Sequence, residues 1–383
     1  MSCLARANDV IGVSLITPEM DARESERAMR EYCSEVVLVP ARPWQGATKR
    51  LLQLSSLVST RSFESRAFDL PELRRALGRA LAARPVDVVN VELPFLAGQR
   101  LGVAPPGSPP PLRLLDEHNI EFDLARQQAS ADHGLARRIH NLANCPKIRR
   151  EELRAFRTFD GVTFCSSVDE ARARQLVPQL RSAVVPNAVD VHHFKPRPQD
   201  PPSDGRTVMF FGAINYFPNV DGIRYLMREV WPLVERDHPG ARLKIVGQHP
   251  TPEVLGFRGP RVEVTGRVDD LRPHLASAAA TIVPLRIGGG TRFKILEAMA
   301  MARPVVSTSL GAEGIDAEPG RDILIGDAPA ALAAAIGRVL DDPTLGANLG
   351  ARGRALVEER YSWVAAARRL ESFMRELLAN RRR

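Results

Sequence analysis

Paired cysteines and long apolar runs are both missing from this chain of 383 residues. Its 4 cysteines lack the spacing of a zinc site or a disulfide framework, so we expect reduced, mostly buried thiols. No apolar run approaches the length that spans a bilayer, and no signal-peptide pattern follows the first residues. These absences predict a cytoplasmic protein. The four cysteines are Cys3, Cys33, Cys145 and Cys165.

The net charge of +8 comes almost entirely from arginine and is most concentrated in the helical stretch 135–159. Because these basic residues lack the interleaved aromatic side chains that single-stranded nucleic acid needs for stacking, we expect no nucleic-acid partner. The stretch is either a solvated helix face or a surface for peripheral contact with the inner membrane, through anionic lipid or a lipid-diphosphate acceptor.

Short β-branched runs alternate with longer amphipathic runs along the whole chain, which predicts an α/β fold of parallel strands and crossover helices. The length suits two domains, each able to bury its own core. A polar, proline-rich segment at 195–205 is predicted to be the linker. We therefore expect a first Rossmann-like domain over 1–194, a second over 206–361 and a C-terminal helix over 362–383. Strands are predicted at 10–15, 36–39, 86–91, 112–115, 162–165, 183–185, 208–211, 243–246, 262–265, 281–285, 305–307 and 323–325.

A glycine run, Gly288-Gly289-Gly290, lies between the predicted strand 281–285 and a predicted helix that starts near Thr291. Glycines let the backbone approach a ligand, and the free amides at a helix start favour an anion. Arg292 and Lys294 add positive charge. The segment therefore predicts an anion site, and the alternative is an ordinary turn of an α/β domain with solvated cations.

The segments 288–300, 303–306, 212–219 and 185–190 together resemble retaining glycosyltransferases of family four. The chain is most similar to the sugar transferases of bacterial exopolysaccharide systems, including those linked to exosortase loci. This resemblance implies a GT-B fold, in which two Rossmann-like domains face each other across a cleft, with the C-terminal helix returning to the first. It also implies transfer of a sugar from a nucleotide diphosphate donor to a glycan or lipid-linked acceptor, with retention and without a metal or cofactor.

The same resemblance assigns roles to individual residues. Arg292 and Lys294 would stabilise the departing diphosphate as catalytic residues, together with the backbone of Gly289, Gly290 and Thr291. Glu297 would hold the donor ribose, the alternative being an exposed helix carboxylate. The other predicted donor contacts are Gly212 and Asn215, the largely backbone contacts to the nucleobase at Arg267 and Val268, and Glu313, which could also meet the acceptor.

His118 lies in Asp116-Glu117-His118-Asn119 and matches the histidine-bearing loop beside the transferred sugar in the family. It is therefore predicted to be a catalytic residue in contact with donor sugar or acceptor, and the alternative is a structural histidine. His192, His193 and His249 have no such placement, so we interpret them as surface residues.

Three features depart from the family. Gly289 stands where many members have a first glutamate, and Asn215, Tyr216 and Asn219 replace the arginine and lysine that often follow the first strand of the second domain. The chain also starts at what matches the end of the first helix, so the first strand and glycine turn of the first domain are predicted to be missing. Two alternatives to a transferase stay open: a nucleotide-sugar epimerase, and a weakly active nucleotide-binding partner of another transferase.

Overall fold

The computed structural model describes residues 2–41, 46–98, 105–131, 135–288 and 291–381. The chain divides into two compact units. The first unit consists of Met1–Val185 and Ala367–Arg383, and the second of Pro186–Ala366.

The first unit is built from parallel strands joined by helices, as the alternating sequence pattern predicts. Its strands are β1 (Ile11–Ile16), β2 (Glu35–Pro40), β3 (Val88–Glu92), β4 (Leu112–Glu117), β5 (Gly161–Phe164) and β6 (Ser182–Val184). Its helices are α1 (Ala22–Arg30), α2 (Gly46–Leu57), α3 (Phe63–Ala67), α4 (Pro71–Ala83), α5 (Glu121–Ala131), α6 (Leu135–Thr158) and α7 (Ser167–Leu176). Short 3₁₀ turns lie at Leu4–Arg6 and Pro94–Leu96.

The strands of the first unit form two sheets. Among the described residues, β1 pairs only with β2, while β3, β4, β5 and β6 form a four-stranded sheet in that order. Because successive side chains of a strand point to opposite faces, β4 contributes to two apolar clusters. Leu115 packs with Phe156 of α6 on one face, and Leu112 and Leu114 contact the C-terminal helix on the other.

The second unit has one continuous sheet of six parallel strands. The strands are β7 (Thr207–Phe211), β8 (Arg242–Val246), β9 (Val262–Gly266), β10 (Ala280–Val283), β11 (Val305–Ser307) and β12 (Leu324–Ile325). The helices are α8 (Phe217–Tyr225), α9 (Trp231–Asp237), α10 (Pro252–Leu255), α11 (Arg272–Ser277), α12 (Phe293–Ala300), α13 (Pro329–Asp341), α14 (Pro343–Arg360) and α15 (Trp363–Arg381). A π-helical turn, Leu226–Val230, joins α8 to α9.

The first strand of the second unit in chain order, β7, lies at its centre, between β10 and β8. Val208 and Phe210 pack on one face with Trp231 of α9, and Met209 and Phe211 belong to the cluster on the other face. Apolar side chains therefore cover both faces, which is why the buried strands of a parallel sheet are apolar along their whole length.

The boundary between the units falls between Val185 and Pro186, ahead of the segment predicted as a linker. The segment 195–205 is tied to the second unit by ion pairs and hydrogen bonds. Arg197 lies 2.6 Å from Asp200 and 3.6 Å from Asp270, and the Asp204 N–H donates to the Ser277 carbonyl at 3.1 Å. A polar, proline-rich composition here marks a surface loop of the second unit.

Helix α15 begins in the second unit, and its residues from Ala367 onward belong to the first. Phe373 and Leu377 are 7% and 2% exposed and pack on Leu112 and Leu114. The side chains of Phe373 and Leu377 come so close to Gly161 that a Cβ there would lie 2.5 Å from the Leu377 Cδ1 atom. The predicted return of the C-terminal helix to the first domain is confirmed.

Candidate functional site

The candidate site lies at one edge of the sheet of the second unit. β7, β10 and β11 are parallel neighbours, so their carboxyl ends meet at the same edge, where ligands of open α/β sheets bind. The loops that follow these three strands carry most of the residues predicted for the donor. Gly289 and Gly290 lie outside the residues that the structure describes.

Gly212 directly follows β7 and has a φ of +146°, a conformation that favours glycine. Its N–H donates to the Val246 carbonyl at 3.0 Å. A Cβ atom at Gly212 would lie 3.1 Å from Asn219 Nδ2 and 3.3 Å from Lys294 Nζ. The turn after β7 therefore lies against the lysine of α12, and both belong to one site.

Lys294 lies in the first turn of α12, with its ammonium held by two partners. Nζ donates to Asn219 Oδ1 at 2.7 Å and lies 4.2 Å from the centre of the Phe210 ring. Burial and, to a smaller extent, the neighbouring positive charge of Arg292 together lower the pKa of Lys294 to about 7. An ammonium removed from water in this way gains from a bound anion, which favours its charged form.

Arg292 is the residue that precedes α12, and it has extended backbone angles. Its guanidinium lies against Gly288, whose φ is +136° and where a Cβ would be 2.6 Å from Arg292 Nη2. Thr291 is 5% exposed, and its carbonyl accepts a hydrogen bond from Asn187 Nδ2 at 3.3 Å. Two cations therefore flank the start of a helix, the arrangement that binds phosphate groups.

Glu297 lies one turn beyond Lys294 on α12 and is half-buried, which argues against the alternative of an exposed carboxylate. Burial raises the pKa of Glu297 to about 7, and the charge of Lys294 opposes that rise. At neutral pH the carboxyl can therefore accept or donate a hydrogen bond.

The other predicted donor residues lie apart from this cluster or pack elsewhere. Asn215 and Arg267 are exposed, and Val268 is partly buried against the apolar cluster that contains Val246. Glu313 is partly buried in the turn after β11, where its N–H donates to the Leu310 carbonyl at 3.3 Å. Contacts of these four residues with a donor stay predictions.

His118 belongs to the first unit, in the loop between β4 and α5. Its side chain is 43% exposed, and Nε2 lies 3.9 Å from Asp116 Oδ2. Asp116 in turn accepts a hydrogen bond from Thr163 Oγ1 at 2.7 Å. The imidazole is thus partly exposed to solvent, and the role of His118 stays a prediction.

Two buried carboxyl groups, Glu117 and Glu152, lie beside the loop that carries His118. Glu152 of α6 accepts hydrogen bonds from the N–H groups of Glu121 and Phe122, at 2.7 and 3.2 Å, and so caps the start of α5. Glu117 is 1% exposed, and burial, followed by the charge of Glu152, raises its pKa well above the usual range. Because Glu152 has the N–H donors, Glu117 is the member of the pair that stays neutral.

Sequence reasoning did not find the residues that hold the ammonium of Lys294. Asn219 stood out in the sequence only as a replacement for a cation, and Phe210 only as part of a strand. Arg286 was also missed, although it precedes the glycine run at the end of β10. It forms an ion pair with Asp221 at 3.0 Å, and its guanidinium lies 4.6 Å from the Tyr225 ring centre.

The basic stretch of α6 is only partly a solvated face. Lys147 Nζ donates to the Ser56 carbonyl at 2.5 Å, and Arg150 donates to the Thr60 carbonyl, so both stabilise the end of α2 and the loop after it. Phe156 and Phe159, which lie among the last basic residues of this stretch, are buried and unavailable for stacking on bases.

The described residues contain neither a membrane-spanning helix nor a cluster of metal ligands. No helix among them combines the length and apolar character that crossing a bilayer requires. Within the same residues, His, Cys, Asp and Glu side chains form no group of three that could hold a metal ion.

Residues 205–342 match the family model described as glycosyl transferases group 1. The matched range lies within the second unit. The matched range contains β7, α8 and α12, the elements that carry Gly212, Asn219 and Lys294. A comparison with the curated proteins gave no match.

Solved glycosyltransferase structures match nearly the whole chain. Sucrose-phosphate synthase from Thermosynechococcus elongatus has 20% identity and a TM-score of 0.66, with 91% of this chain and 84% of that chain covered. HepE from Anabaena in complex with UDP-glucose has 14% identity and a TM-score of 0.61, with coverage of 94% and 91%. A glycosyltransferase from Rickettsia africae ESF-5 has 12% identity and a TM-score of 0.62, with coverage of 97% and 100%. At these identities the likeness establishes the fold, and the predicted α/β GT-B fold is confirmed.

Proposed function

We propose that the chain is a retaining, metal-independent glycosyltransferase. It moves a sugar from a nucleotide diphosphate donor to a glycan or lipid-linked acceptor in polysaccharide synthesis, as do the family-four enzymes that it resembles. The observation that carries the proposal is the desolvated ammonium of Lys294, held beside Arg292 at the start of α12. The group 1 family match over the same elements and the UDP-glucose in the HepE structure support it.

The departing diphosphate is the ligand for which Lys294 and Arg292 are placed. Transfer breaks the bond between the sugar and the diphosphate, and negative charge develops on the phosphate oxygens. Lys294, Arg292 and the first amides of α12 are fixed in place before that charge appears, so they stabilise the transition state without reorganisation. Glu297 holds the ribose, and His118 contacts the donor sugar or the acceptor.

The remaining donor contacts come from the loops that follow β7, β9 and β11. Gly212 and Asn215 approach the donor after β7, Arg267 and Val268 contact the nucleobase with their backbone, and Glu313 contacts donor or acceptor. Gly289 and Gly290 provide further backbone amides for the diphosphate.

Sugar transfer is tested by incubating the chain with a panel of nucleotide diphosphate sugars and glycan acceptors. Release of nucleoside diphosphate and the mass and anomeric configuration of the product are measured, with and without a chelator. Lys294→Ala and Arg292→Ala should each lower turnover roughly ten- to a thousandfold, as does loss of a preorganised transition-state donor. Both variants should remain folded, because neither side chain belongs to an apolar core cluster.

Two surface variants are matched controls. Lys244 of β8 pairs with Glu263 of β9 at 3.3 Å, and Arg236 of α9 pairs with the adjacent Asp237. Lys244→Ala and Arg236→Ala should therefore keep wild-type turnover. Wild-type rates in the Lys294 and Arg292 variants would remove both residues from the mechanism. Conversion of the donor without any acceptor would favour an epimerase, and nucleotide binding without turnover would favour a partner of another transferase.

A further inference from the structure

Asn219 of α8 is a buried polar side chain whose amide group has a partner at each end. It is 6% exposed, its Nδ2 donates to the Ala213 carbonyl at 2.8 Å, and its Oδ1 accepts from Lys294 Nζ at 2.7 Å. A carbonyl oxygen can only accept and an ammonium can only donate, so the reverse orientation of the amide would satisfy neither partner. The amide therefore has one orientation, with its oxygen on Lys294.

The same amide connects the turn after β7 to the first turn of α12. Ala213 lies in the turn after β7, and the Tyr216 carbonyl of that turn accepts from the Asn219 N–H at 2.9 Å, which holds the backbone of Asn219 as well. On α12, Lys294 follows Phe293, the first residue of the helix. The position of the Lys294 ammonium is thus set by α8 and the turn before it, together with α12.

Two other cations of the second unit have carboxylate partners instead. Arg224 of α8 donates two hydrogen bonds to Glu253, at 2.6 and 2.7 Å, and Arg286, after β10, donates two to Asp221, at 3.0 and 3.2 Å. In such pairs each charge neutralises the other. Lys294 donates to an uncharged amide, so its hydrogen bond holds the ammonium without neutralising it.

Among the described residues, the charged groups that act on the Lys294 ammonium both belong to α12. After burial, the pKa of Lys294 responds to Arg292, which lowers it, and to Glu297, which raises it. β7 faces the ammonium with the Phe210 ring and α8 faces it with the Asn219 amide, and neither group is charged. A carboxylate at position 219 would place a full negative charge within hydrogen-bond distance of Lys294.

We propose that Asn219 is a positioning residue for the donor diphosphate, because it holds the Lys294 ammonium at the start of α12 and leaves its positive charge for that diphosphate. Aspartate has nearly the same shape but would neutralise the ammonium, and an apolar side chain would not hold it. The inference rests on the proposed function and adds to it a residue that acts through Lys294.

The pH dependence of turnover tests this role of Asn219. The value of kcat/KM for the donor reports the ionisation of the free enzyme. In the wild type it should fall as pH rises through about 7, because Lys294 loses its proton and its charge. Asn219→Asp should move this fall upward by about 1–3 pH units, because a carboxylate beside the ammonium favours its charged form. It should also lower the maximum of kcat/KM by roughly tenfold or more, because the neutralised pair attracts the diphosphate less.

Two further variants separate charge from position. Asn219→Ala removes the hold without adding a charge, so kcat should fall roughly tenfold while the fall with pH stays at about 7 or moves lower. In the Lys294→Met background, Asn219→Asp should have little further effect on turnover, because Asn219 acts through Lys294.

Asn348 provides the matched control for the change of charge. It is exposed on α14 in the same unit, so Asn348→Asp should keep the wild-type rates and the wild-type pH profile.

Binding of UDP over the same pH range, measured by calorimetry, needs no turnover. The affinity of the wild type should weaken above about pH 7, and that of Asn219→Asp only at higher pH. If the wild type binds UDP in this way but transfers no sugar, the proposed function fails while the role of Asn219 stands.

Three results would overturn the proposal. The first is a wild-type pH dependence of both binding and turnover in folded Asn219→Asp. The second is an equal loss of turnover on Asn219→Asp with and without Lys294. The third is wild-type affinity for UDP in Asn219→Ala, which decides the matter even where Asn219→Asp does not fold.

Discussion

The two units use the same alternation of strands and helices. The described strands of the second unit form one continuous sheet, whereas those of the first form two separate sheets. In the second unit β7 lies between β10 and β8, and β10 and β11 are buried along their whole length. In the first unit no described strand pairs with both β1 and β3, and both strands are largely half-buried. An apolar strand is therefore not enough to build a buried sheet, since it also needs a partner on each side.

The order of the strands shows where the first unit differs. In the second unit the first strand in chain order is central, the next two lie on one side of it and the last three on the other. In the first unit β1 and β2 match the former set, and β3 onward match the latter. The break between β1 and β3 in the first unit therefore corresponds to the position of β7 in the second unit.

Replacing isoleucine in β10, which has a partner strand on each side, and in β1, which pairs with β2 alone among the described strands, gives the largest expected difference between the units. Ile282 of β10 is 0% exposed, so Ile282→Ala should lower the free energy of unfolding of the second unit by about 2–5 kcal/mol. Ile11 of β1 is partly exposed, so Ile11→Ala should cost less than half as much. Denaturant unfolding, with hydrogen exchange of peptides from β10 and β1 as local probes, measures both. Equal losses of unfolding free energy in Ile282→Ala and Ile11→Ala would contradict this difference between the units.

The buried carboxyl pair of the first unit predicts a pH dependence of its stability. The folded state keeps Glu117 neutral, whereas the unfolded chain ionises it near about pH 4.3. The folded state therefore binds more protons above that pH, and the contribution to stability falls as pH rises toward the raised pKa. Glu117→Gln keeps the shape and a donor for Glu152 but does not ionise. It should raise the melting temperature by a few degrees at pH 8 and change it little at pH 5.

Calorimetry from pH 5 to 9 measures this difference, and an equal shift at every pH would show that Glu117 is not the titrating group. The second unit supplies the contrast. Burial lowers the pKa of Lys294 to about 7, so between about pH 7 and 10.4 the unfolded state binds more protons, and this group makes stability rise with pH.

Proton uptake on nucleotide binding is the smallest effect and concerns the second unit alone. At pH 8 Lys294 is largely neutral, and a bound diphosphate favours its charged form. Binding of UDP at pH 8 should therefore take up as much as about one proton, seen as a binding heat that depends on the ionisation enthalpy of the buffer. Lys294→Met should abolish this dependence, and His118→Ala should preserve it. The same heat in all buffers for the wild type would contradict the role given to Lys294.

The sequence predicted the elements of the second unit better than the contacts within its site. The glycine run after a strand and before a helix was found because its signals are local, and α12 begins at Phe293, close to the predicted start. The partners of Lys294 were not found, because Phe210 and Asn219 are distant in sequence and meet it only through the parallel pairing of β7 with β10. Exposure of Asn215 and Arg267 likewise depends on how their loops pack.

The composition of 195–205 predicted a linker there, whereas the two compact units meet between Val185 and Pro186. Proline and polar residues at 195–205 are typical of a linker, but the ion pairs of Arg197 with Asp200 and Asp270 lie within the second unit. The pairing with Asp270 joins positions far apart in sequence and cannot be read from local composition. Lys147 and Arg150 show the same for α6, since their carbonyl partners belong to the end of α2 and the following loop.

The return of α15 to the first unit affects the order in which the newly made chain folds. Most of the first unit is made before the second unit, but Phe373 and Leu377, which cover Leu112 and Leu114, follow the second unit in the sequence. One face of β4 therefore stays uncovered while the second unit is made, although domains generally fold in the order in which they are made. The unit that is translated first is thus completed only after the second, and the nascent chain exposes one apolar face of β4 until α15 has been made.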